Sequence, residues 1–143
     1  MSKRVALVSC VKSKRDTPCE AADLYTSPLF RSLRRYAEAN ADEWYILSAE
    51  HGLLDPRTVI APYEKTLNRM GVRDRNSWAE TVQQQLIKVL PAGAEVVILA
   101  GERYREGLIH FLERRGFRVS VPLESLSFGK QLQRLKALND QHG

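Results

Sequence analysis

A carboxylate and an imidazole stand side by side in the segment Ser48-Ala49-Glu50-His51-Gly52. The segment directly follows a short apolar run, and Gly52 allows the backbone to turn there. Glu50 could act as a general base toward water or as an acceptor that orients a substrate. His51 could stabilise developing negative charge or move a proton. Adjacent Glu and His residues also occur in ordinary turns, so a purely structural role for the pair stays open.

A second polar segment, Ser9-Cys10-Val11-Lys12-Ser13-Lys14, combines hydroxyls, a thiol and lysine ammonium groups. Loop amides and lysine charges suit an anion such as a phosphate, although the segment lacks the glycines of a P-loop. Cys10 could be a nucleophile only beside a base, and a small buried residue is the commoner role for a cysteine at a strand end. A basic, solvated loop is the alternative interpretation of the whole segment.

Other candidate binding residues precede the first predicted helix or follow a predicted strand. Tyr25 could stack on a base, and the amino end of the helix that begins near Ser27 could attract a phosphate. Helix capping and core packing are the competing roles for these residues. The predicted ligand-binding residues are Ser9, Cys10, Lys12, Lys14, Tyr25, Ser27, Ser48, Tyr63, Gly101 and Tyr104.

The remaining histidines do not form a metal-binding pattern. His110 falls within a helical pattern and His142 lies in the polar tail. Neither has the close Cys, His or acidic neighbours at the spacing that a zinc site requires. We therefore expect no metal and no cofactor.

Four short apolar runs, each ending in a polar loop or at a proline, predict buried strands. They cover residues 5–8, 44–47, 96–99 and 117–121. Between them, apolar residues recur at helical spacing. The first helix should begin at Pro28 after an N-cap at Ser27, the second at the capping-box spacing of Ser77 and Glu80, and the last near Ser127. A further helical pattern runs from Tyr104 toward Gly116.

Alternating strands and helices predict a single α/β domain over residues 1–143, with three α/β/α layers and a mainly parallel sheet of four or more strands. Segment 53–76 is the least regular part, so we expect loops and a short helix there. Ligands of open parallel sheets gather at the carboxyl ends of the strands. We therefore expect the polar residues after the first three strands to converge.

Composition limits the classes of function. The 143 residues include 22 Lys and Arg against 17 Asp and Glu, a net charge of +5 that permits an anionic partner without requiring one. Two cysteines argue against a disulfide scaffold and favour a reducing, cytoplasmic location. No run approaches the roughly 20 apolar residues of a membrane span, so we expect no membrane partner. The sequence does not indicate an oligomeric state.

The motifs together resemble a widespread bacterial and phage family of uncharacterised small domains. The resemblance rests on the Ser9-Cys10 strand end with Lys12 and Lys14, and on the ordered segments at residues 23–30, 47–56, 60–63, 100–105 and 122–124. It covers nearly the whole chain. The family resemblance by itself implies no defined activity.

Two further resemblances are weaker. The segments Leu47-Ser48-Ala49, Gly52-Leu53-Leu54 and Pro62-Tyr63 are similar to a pattern in YaaA-like peroxide-stress proteins, which are longer and are associated with DNA binding. The Ser9-Cys10 strand end and the Ser27-Pro28 turn resemble uracil-DNA-glycosylase-like domains, including those of archaeosine-synthesis enzymes. The standard water-activating motif of those glycosylases has no counterpart here. These resemblances imply a nucleic acid, with DNA favoured over RNA, or a nucleotide as partner.

The leading hypothesis is an N-glycosidic-bond hydrolase that accepts a modified or damaged base. Lys12 and Lys14 would hold phosphate, Tyr25 or Tyr63 would stack on the base, Glu50 would position water and His51 would support the leaving group. A non-catalytic DNA-binding module is the main rival, with the basic groups making phosphate contacts only. An enzyme acting on free nucleosides or nucleotides is the third possibility.

Overall fold

The computed structural model describes residues 3–9 and 14–140. These residues form seven strands, six α-helices and one short 3-10 helix. The strands are β1 (Arg4–Ser9), β2 (Cys19–Glu20), β3 (Glu43–Ser48), β4 (Gly52–Leu54), β5 (Val59–Ile60), β6 (Glu95–Leu99) and β7 (Arg118–Ser120). The helices are α1 (Ala21–Leu24), α2 (Pro28–Asn40), α3 (Val72–Val89), α4 (Glu102–Arg105), α5 (Ile109–Arg114) and α6 (Phe128–Asp140), with a 3-10 helix at Leu67–Arg69.

The main sheet has five strands in the order β4-β3-β1-β6-β7. The pairings of β1 with β3 and β6, and of β6 with β7, are parallel, whereas β4 pairs antiparallel with β3. Strands β2 and β5 form a separate two-stranded antiparallel sheet. The chain passes from β1 to β3 on one side and later returns to β6 on the other side of β1. The direction of winding therefore reverses between β1 and β6, which is the switch point of the sheet.

Alternate residues of β1 face two separate cores, because successive side chains of a strand point to opposite faces. Ala6 and Val8 belong to a core with buried residues of α2 and α6, including Phe30 and Leu135. Val5 and Leu7 belong to a second core that includes buried residues of α3, α4 and α5. The sheet is thus covered by helices on both faces. The predicted α/β/α fold with a mainly parallel sheet is confirmed.

The first long helix begins where the sequence predicts. Pro28 occupies the first turn of α2, and the Ser27 hydroxyl oxygen accepts a hydrogen bond from the Phe30 backbone N–H at 3.1 Å. This bond satisfies one of the amide groups that a helix start leaves without an intrahelical partner. Helix α6 likewise begins directly after Ser127, as expected.

The predicted start of α3 is wrong. The helix begins at Val72, with Gly71 in the N-cap position, so Ser77 and Glu80 lie inside it. The first turn contains charged residues and the exposed Val72, and therefore lacks the apolar periodicity from which a helix is predicted. Arg75 supports this end of the helix, because its guanidinium donates to the Met70 carbonyl at 2.7 Å.

One other expectation needs correction. The helical pattern between Tyr104 and Gly116 is divided into α4 and α5, and Gly107 lies at the break. A Cβ atom at Gly107 would lie 2.6 Å from the Ala79 Cβ, while the Gly107 carbonyl accepts a hydrogen bond from the Gln83 side chain at 2.8 Å. The close contact and the diverted carbonyl explain the break. Segment 53–76 contains loops and a short 3-10 helix, and also most of β4, all of β5 and the first turn of α3.

The hairpin between β3 and β4 depends on Gly52. Its φ of +71° is strained for other L-residues, and an added Cβ would lie 2.5 Å from the Gln85 Oε1 atom. That oxygen accepts a hydrogen bond from the Leu53 N–H at 2.8 Å. A side chain at position 52 would therefore impose backbone strain and also displace Gln85 from the hairpin.

We expect Gly52→Ala to lower the free energy of unfolding by about 2 kcal/mol or more, as the sum of backbone strain of about 1 kcal/mol and a lost hydrogen bond of about 1 kcal/mol. Gly93→Ala is the matched control, because Gly93 has a φ of +72° but no atom within 4 Å of an added Cβ. Urea denaturation of both variants measures the difference. Equal losses in the two variants would contradict the contribution assigned to Gln85.

Candidate functional site

The polar ends of three parallel strands lie along one edge of the sheet. Ser9 ends β1 and pairs in register with Leu47, so Ser48 lies one residue beyond it on β3. On the other side, Val8 pairs with Leu99, which is followed by Ala100 and Gly101. The carboxyl ends therefore converge as the sequence predicts.

A chain of hydroxyl groups lies at the end of β3. The Tyr25 and Tyr63 hydroxyl oxygens are 2.6 Å apart, and the Ser48 hydroxyl donates to the Tyr63 hydroxyl oxygen at 2.9 Å. The His51 backbone N–H in turn donates to the Ser48 hydroxyl oxygen at 3.1 Å. We call Tyr25, Ser48 and Tyr63 the hydroxyl network. It connects three segments that are far apart in the sequence, so it fixes the β3–β4 turn relative to the loops around it.

The Lys14 ammonium group lies over the hydroxyl network. Its Nζ atom is 4.8 Å from the centroid of the Tyr63 ring and 5.9 Å from that of the Tyr25 ring. Contacts of this kind are attractive because the face of an aromatic ring is negative. Two backbone contacts hold the chain at Lys14 in place. Lys14 forms a β-bridge with Tyr25, and the Arg15 N–H donates a hydrogen bond to the Leu24 carbonyl. A half-buried cation is thus positioned beside the polar strand end.

Both predicted catalytic residues lie in the turn that joins β3 to β4. The exposed His51 ring meets the Tyr63 ring edge to face, with 5.6 Å between centroids and an interplanar angle of 86°. Glu50 is also exposed, and no side chain in residues 3–9 and 14–140 hydrogen-bonds to its carboxylate. The imidazole therefore has a defined position against the hydroxyl network, whereas the carboxylate is held only through the turn.

Trp78 supports this edge from α3, a role that the sequence did not reveal. Its indole Nε1–H donates to the Ser48 carbonyl at 2.8 Å, and its ring packs edge to face on Tyr104 with 5.7 Å between centroids. Trp78 lies on the apolar face of α3 and is buried there. The sequence could have indicated this role only through the chemistry of tryptophan, because a buried indole N–H usually donates to an acceptor.

A pocket of about 180 Å³ opens at the ends of β1 and β6. We call it the switch-point pocket. It contains the predicted residues Ser9, Gly101 and Tyr104. The sequence did not predict the other polar residues of this pocket, which are Asn68 of the 3-10 helix, Arg105 of α4 and Gln131 of α6. Its apolar walls are Leu29, Leu33, Ile98, Leu99, Ala100, Val121 and Leu123.

Several predicted binding residues have a structural role or cannot be placed. Tyr104 is buried in the second core, and its hydroxyl oxygen accepts from the Leu67 N–H at 3.5 Å, so only part of it borders the pocket. The Ser27 hydroxyl is used as the cap of α2, so the role seen for Ser27 is the competing capping role. Cys10 and Lys12 lie outside the described residues.

A larger cavity, of about 500 Å³, lies around the start of β3, away from Ser48. Its lining includes six carboxylates, from Glu20, Asp23, Glu38, Asp42, Glu43 and Asp55, with only Arg34 and Arg57 as cations. A hydrogen bond with Asp23 and the nearby Glu38 charge raise the pKa of Arg34 against the effect of burial. Burial, followed by the charges of Glu43 and Asp55, raises the pKa of Tyr45. This cavity does not suit a phosphate, because its net negative charge would repel one.

The described residues give no sign of a metal centre or a membrane span. No cluster of three or more His, Cys, Asp or Glu side chains in residues 3–9 and 14–140 could hold a metal ion. None of the helices in the same ranges has both the length and the apolar composition needed to cross a membrane.

Comparison with known proteins places the chain in a family. Residues 5–137 match a family of unknown function, DUF6884. The chain is also 31% identical, over 148 aligned positions, to the uncharacterized protein YfjM of Bacillus subtilis (strain 168). That alignment covers 98% of each chain, so the similarity extends over the whole fold, including the strand ends described above. The protein is a member of the DUF6884 family.

Proposed function

We propose that the protein acts on a nucleotide unit and hydrolyses its N-glycosidic bond. The observation that carries this proposal is the combination at one sheet edge of Lys14, the hydroxyl network and the Glu50-His51 turn. This combination offers a cation for phosphate, aromatic rings for a sugar or base, and an acid-base pair. Ligand binding at the carboxyl ends of parallel strands is the general behaviour of such sheets.

Charge favours this edge over the larger cavity. Lys14 is a cation beside tyrosine and serine hydroxyls, whereas the larger cavity is lined by six carboxylates. A phosphate at Lys14 would gain a charge-assisted hydrogen bond, while the same group in the acidic cavity would be repelled. The exposed Glu50 is the carboxylate of the site, and it stands at the turn rather than under Lys14.

The reaction assigns separate tasks to the two residues of the turn. Glu50 accepts a proton from water as the water oxygen bonds to the anomeric carbon of the sugar. The bond from that carbon to the base nitrogen breaks, and the electron pair leaves with the base. His51, in its protonated imidazolium form, donates a hydrogen bond and then its proton to the departing base, and proton exchange with solvent afterwards restores both Glu50 and His51. The products are a sugar with a new hydroxyl and the free base, so atoms and charges balance.

The likeness of the strand-end motifs to YaaA-like and glycosylase-like proteins supports a DNA-related substrate in this proposal. We also infer a reducing, cytoplasmic location from the low cysteine content and from Cys19, which is a free thiol in the described part of the chain. The sequence has no counterpart of the glycosylase water-activating motif, so Glu50 would serve in its place.

The test combines binding with product analysis. Purified protein is titrated, at two salt concentrations, with single- and double-stranded DNA that carries normal, deaminated or hypermodified bases. The abasic sites formed in each DNA are then quantified. We expect base release from a modified substrate. Salt-sensitive binding without any product would contradict catalysis and favour the DNA-binding module, and turnover of nucleosides alone would favour the free-nucleoside enzyme.

Lys14→Gln should weaken binding to all sequences alike and lower the slope of log affinity against log salt by about one, because one phosphate contact is lost. Lys88→Gln is the matched control, since Lys88 is an exposed lysine in the last turn of α3, away from the carboxyl ends of the strands. An unchanged salt slope in Lys14→Gln would show that Lys14 does not bind phosphate.

A further inference from the structure

We infer that the switch-point pocket is a nucleobase subsite that selects a 6-oxopurine over adenine. The inference rests on the proposed function, because it specifies which base the same sheet edge receives. The pocket is small beside the roughly 300–1,000 Å³ of sites for drug-sized ligands, and its volume of about 180 Å³ suits a single flat heterocycle. Its walls are largely aliphatic, as the faces of a base require.

The position of the pocket allows one nucleotide to reach both parts of the edge. Strands β3 and β6 flank β1, and neighbouring strands are about 4.8 Å apart, so the ends of β3 and β6 are roughly 10 Å apart. A base in the pocket and a phosphate at Lys14 would then belong to a single nucleotide, with the sugar across the end of β1. The glycosidic bond would lie between the two, toward Ser48 and the turn that carries Glu50.

Arg105 provides donors only. Its Nη1 atom donates to the Ala100 carbonyl at 2.9 Å, which holds the half-buried guanidinium against the end of β6. The other N–H groups of the guanidinium can still donate, and a guanidinium has no acceptor. A ring carbonyl oxygen is a suitable partner for this group. An exocyclic amino group at the same place would face the guanidinium with another hydrogen-bond donor, so no hydrogen bond could form.

Gln131 provides an acceptor. Its Nε2 atom donates to the Leu126 carbonyl at 2.9 Å, and this bond fixes which end of the amide is nitrogen. The amide oxygen has no hydrogen-bond partner among residues 3–9 and 14–140, and the residue lines the pocket. A ring N–H would donate to this oxygen, whereas the bare N1 acceptor of adenine would face it unfavourably.

The two side chains together match the edge of a 6-oxopurine. Hypoxanthine and guanine present a carbonyl oxygen next to a ring N–H, while adenine presents an amino group next to a ring nitrogen without hydrogen. Adenine would leave both Arg105 and Gln131 without a matching partner at the buried edge. Asn68, with a donor and an acceptor on one amide, tolerates either base and does not decide between them.

The experiment compares inosine 5′-monophosphate with adenosine 5′-monophosphate by calorimetric titration, since the two share sugar and phosphate and differ at the purine edge. We expect the inosine nucleotide to bind about tenfold tighter or more. Arg105→Lys and Gln131→Met should each reduce this ratio toward one. Arg103→Lys, on the exposed part of α4, is the matched control and should leave the ratio unchanged.

The outcomes separate this inference from the proposed function. The base subsite would be overturned if the two nucleotides bound equally or if neither bound. It would also be overturned if neither pocket variant altered the ratio of the two affinities. These results would overturn it even if base release from DNA is observed. A ratio that depends on both residues, without any hydrolysis, would support the subsite and contradict the hydrolase. Titration with single-stranded DNA that contains inosine or adenosine then shows whether the purine comes from a nucleic acid or from a free nucleotide.

Discussion

Base release should fall by about 10²- to 10⁴-fold in Glu50→Gln, the range typical of removing a general base. Glutamine keeps the size and the hydrogen-bonding oxygen of the side chain but cannot accept the proton from the attacking water. Glu50 is exposed in the β3–β4 turn and has no hydrogen-bond partner among the described side chains, so the substitution should not affect folding. Single-turnover rates on the substrate identified by product analysis measure the effect.

Glu64→Gln is the matched control for that prediction. Glu64 is also an exposed carboxylate and follows Tyr63 directly, so it lies near the hydroxyl network without belonging to the turn. We expect its single-turnover rate to stay within about twofold of the wild type, because an exposed surface substitution should not alter the chemical step. A Glu50→Gln rate as close to the wild type as this control would remove Glu50 from the mechanism. Substrate affinity should be similar in both variants, which distinguishes a lost proton acceptor from a lost binding contact.

His51 should make a smaller contribution than Glu50. Its ring is held edge-on against Tyr63 and its backbone N–H is bound to Ser48, so the imidazole has a position but also free access to solvent. Water can in part replace an exposed donor to the leaving base. The carboxylate has no comparable replacement, because neutral water is a much weaker base.

The parts of the fold that repeat a simple period could be predicted from the sequence. The apolar runs of β1, β3 and β6 and the Ser27-Pro28 start of α2 each carry a strong local signal, and all lie where expected. Strand β4 was not predicted because three residues cannot establish a period, and its pairing depends on the conformation of Gly52. The start of α3 was placed too late because its first turn is polar and exposed.

Some features of the candidate site could likewise be predicted from the sequence, and others could not. The strand ends were predictable because parallel strands must bring their carboxyl ends to one edge. The pairing of Tyr25 with Tyr63, and the positions of Arg105 and Gln131 around one pocket, depend on contacts between residues distant in the sequence. No spacing rule contains that information. The role of Ser27 shows the converse, since its local capping signal was correct, whereas its ligand role stays a prediction.

Trp78→Ala should lower the free energy of unfolding by about 3–5 kcal/mol, the usual cost of truncating a buried aromatic side chain. Trp78 is only 8% exposed and packs on Tyr104 in the second core. The truncation would also leave the Ser48 carbonyl, on a fully buried residue, without its indole donor. A cavity and the loss of this hydrogen bond would thus arise together at the base of the candidate site.

Trp78→Phe separates these two contributions, because it keeps an aromatic ring in the core and removes the indole N–H. We expect a loss well below that of Trp78→Ala, with about 1 kcal/mol arising from the lost hydrogen bond to the Ser48 carbonyl. Urea denaturation measures both variants, and hydrogen exchange at the His51 amide, which donates to the Ser48 hydroxyl, reports on the turn itself. Faster exchange at His51 in Trp78→Phe would show that a core side chain holds the turn in place. Unchanged exchange, or an alanine variant within 1 kcal/mol of the wild type, would mean that the turn is positioned by the hydroxyl network alone.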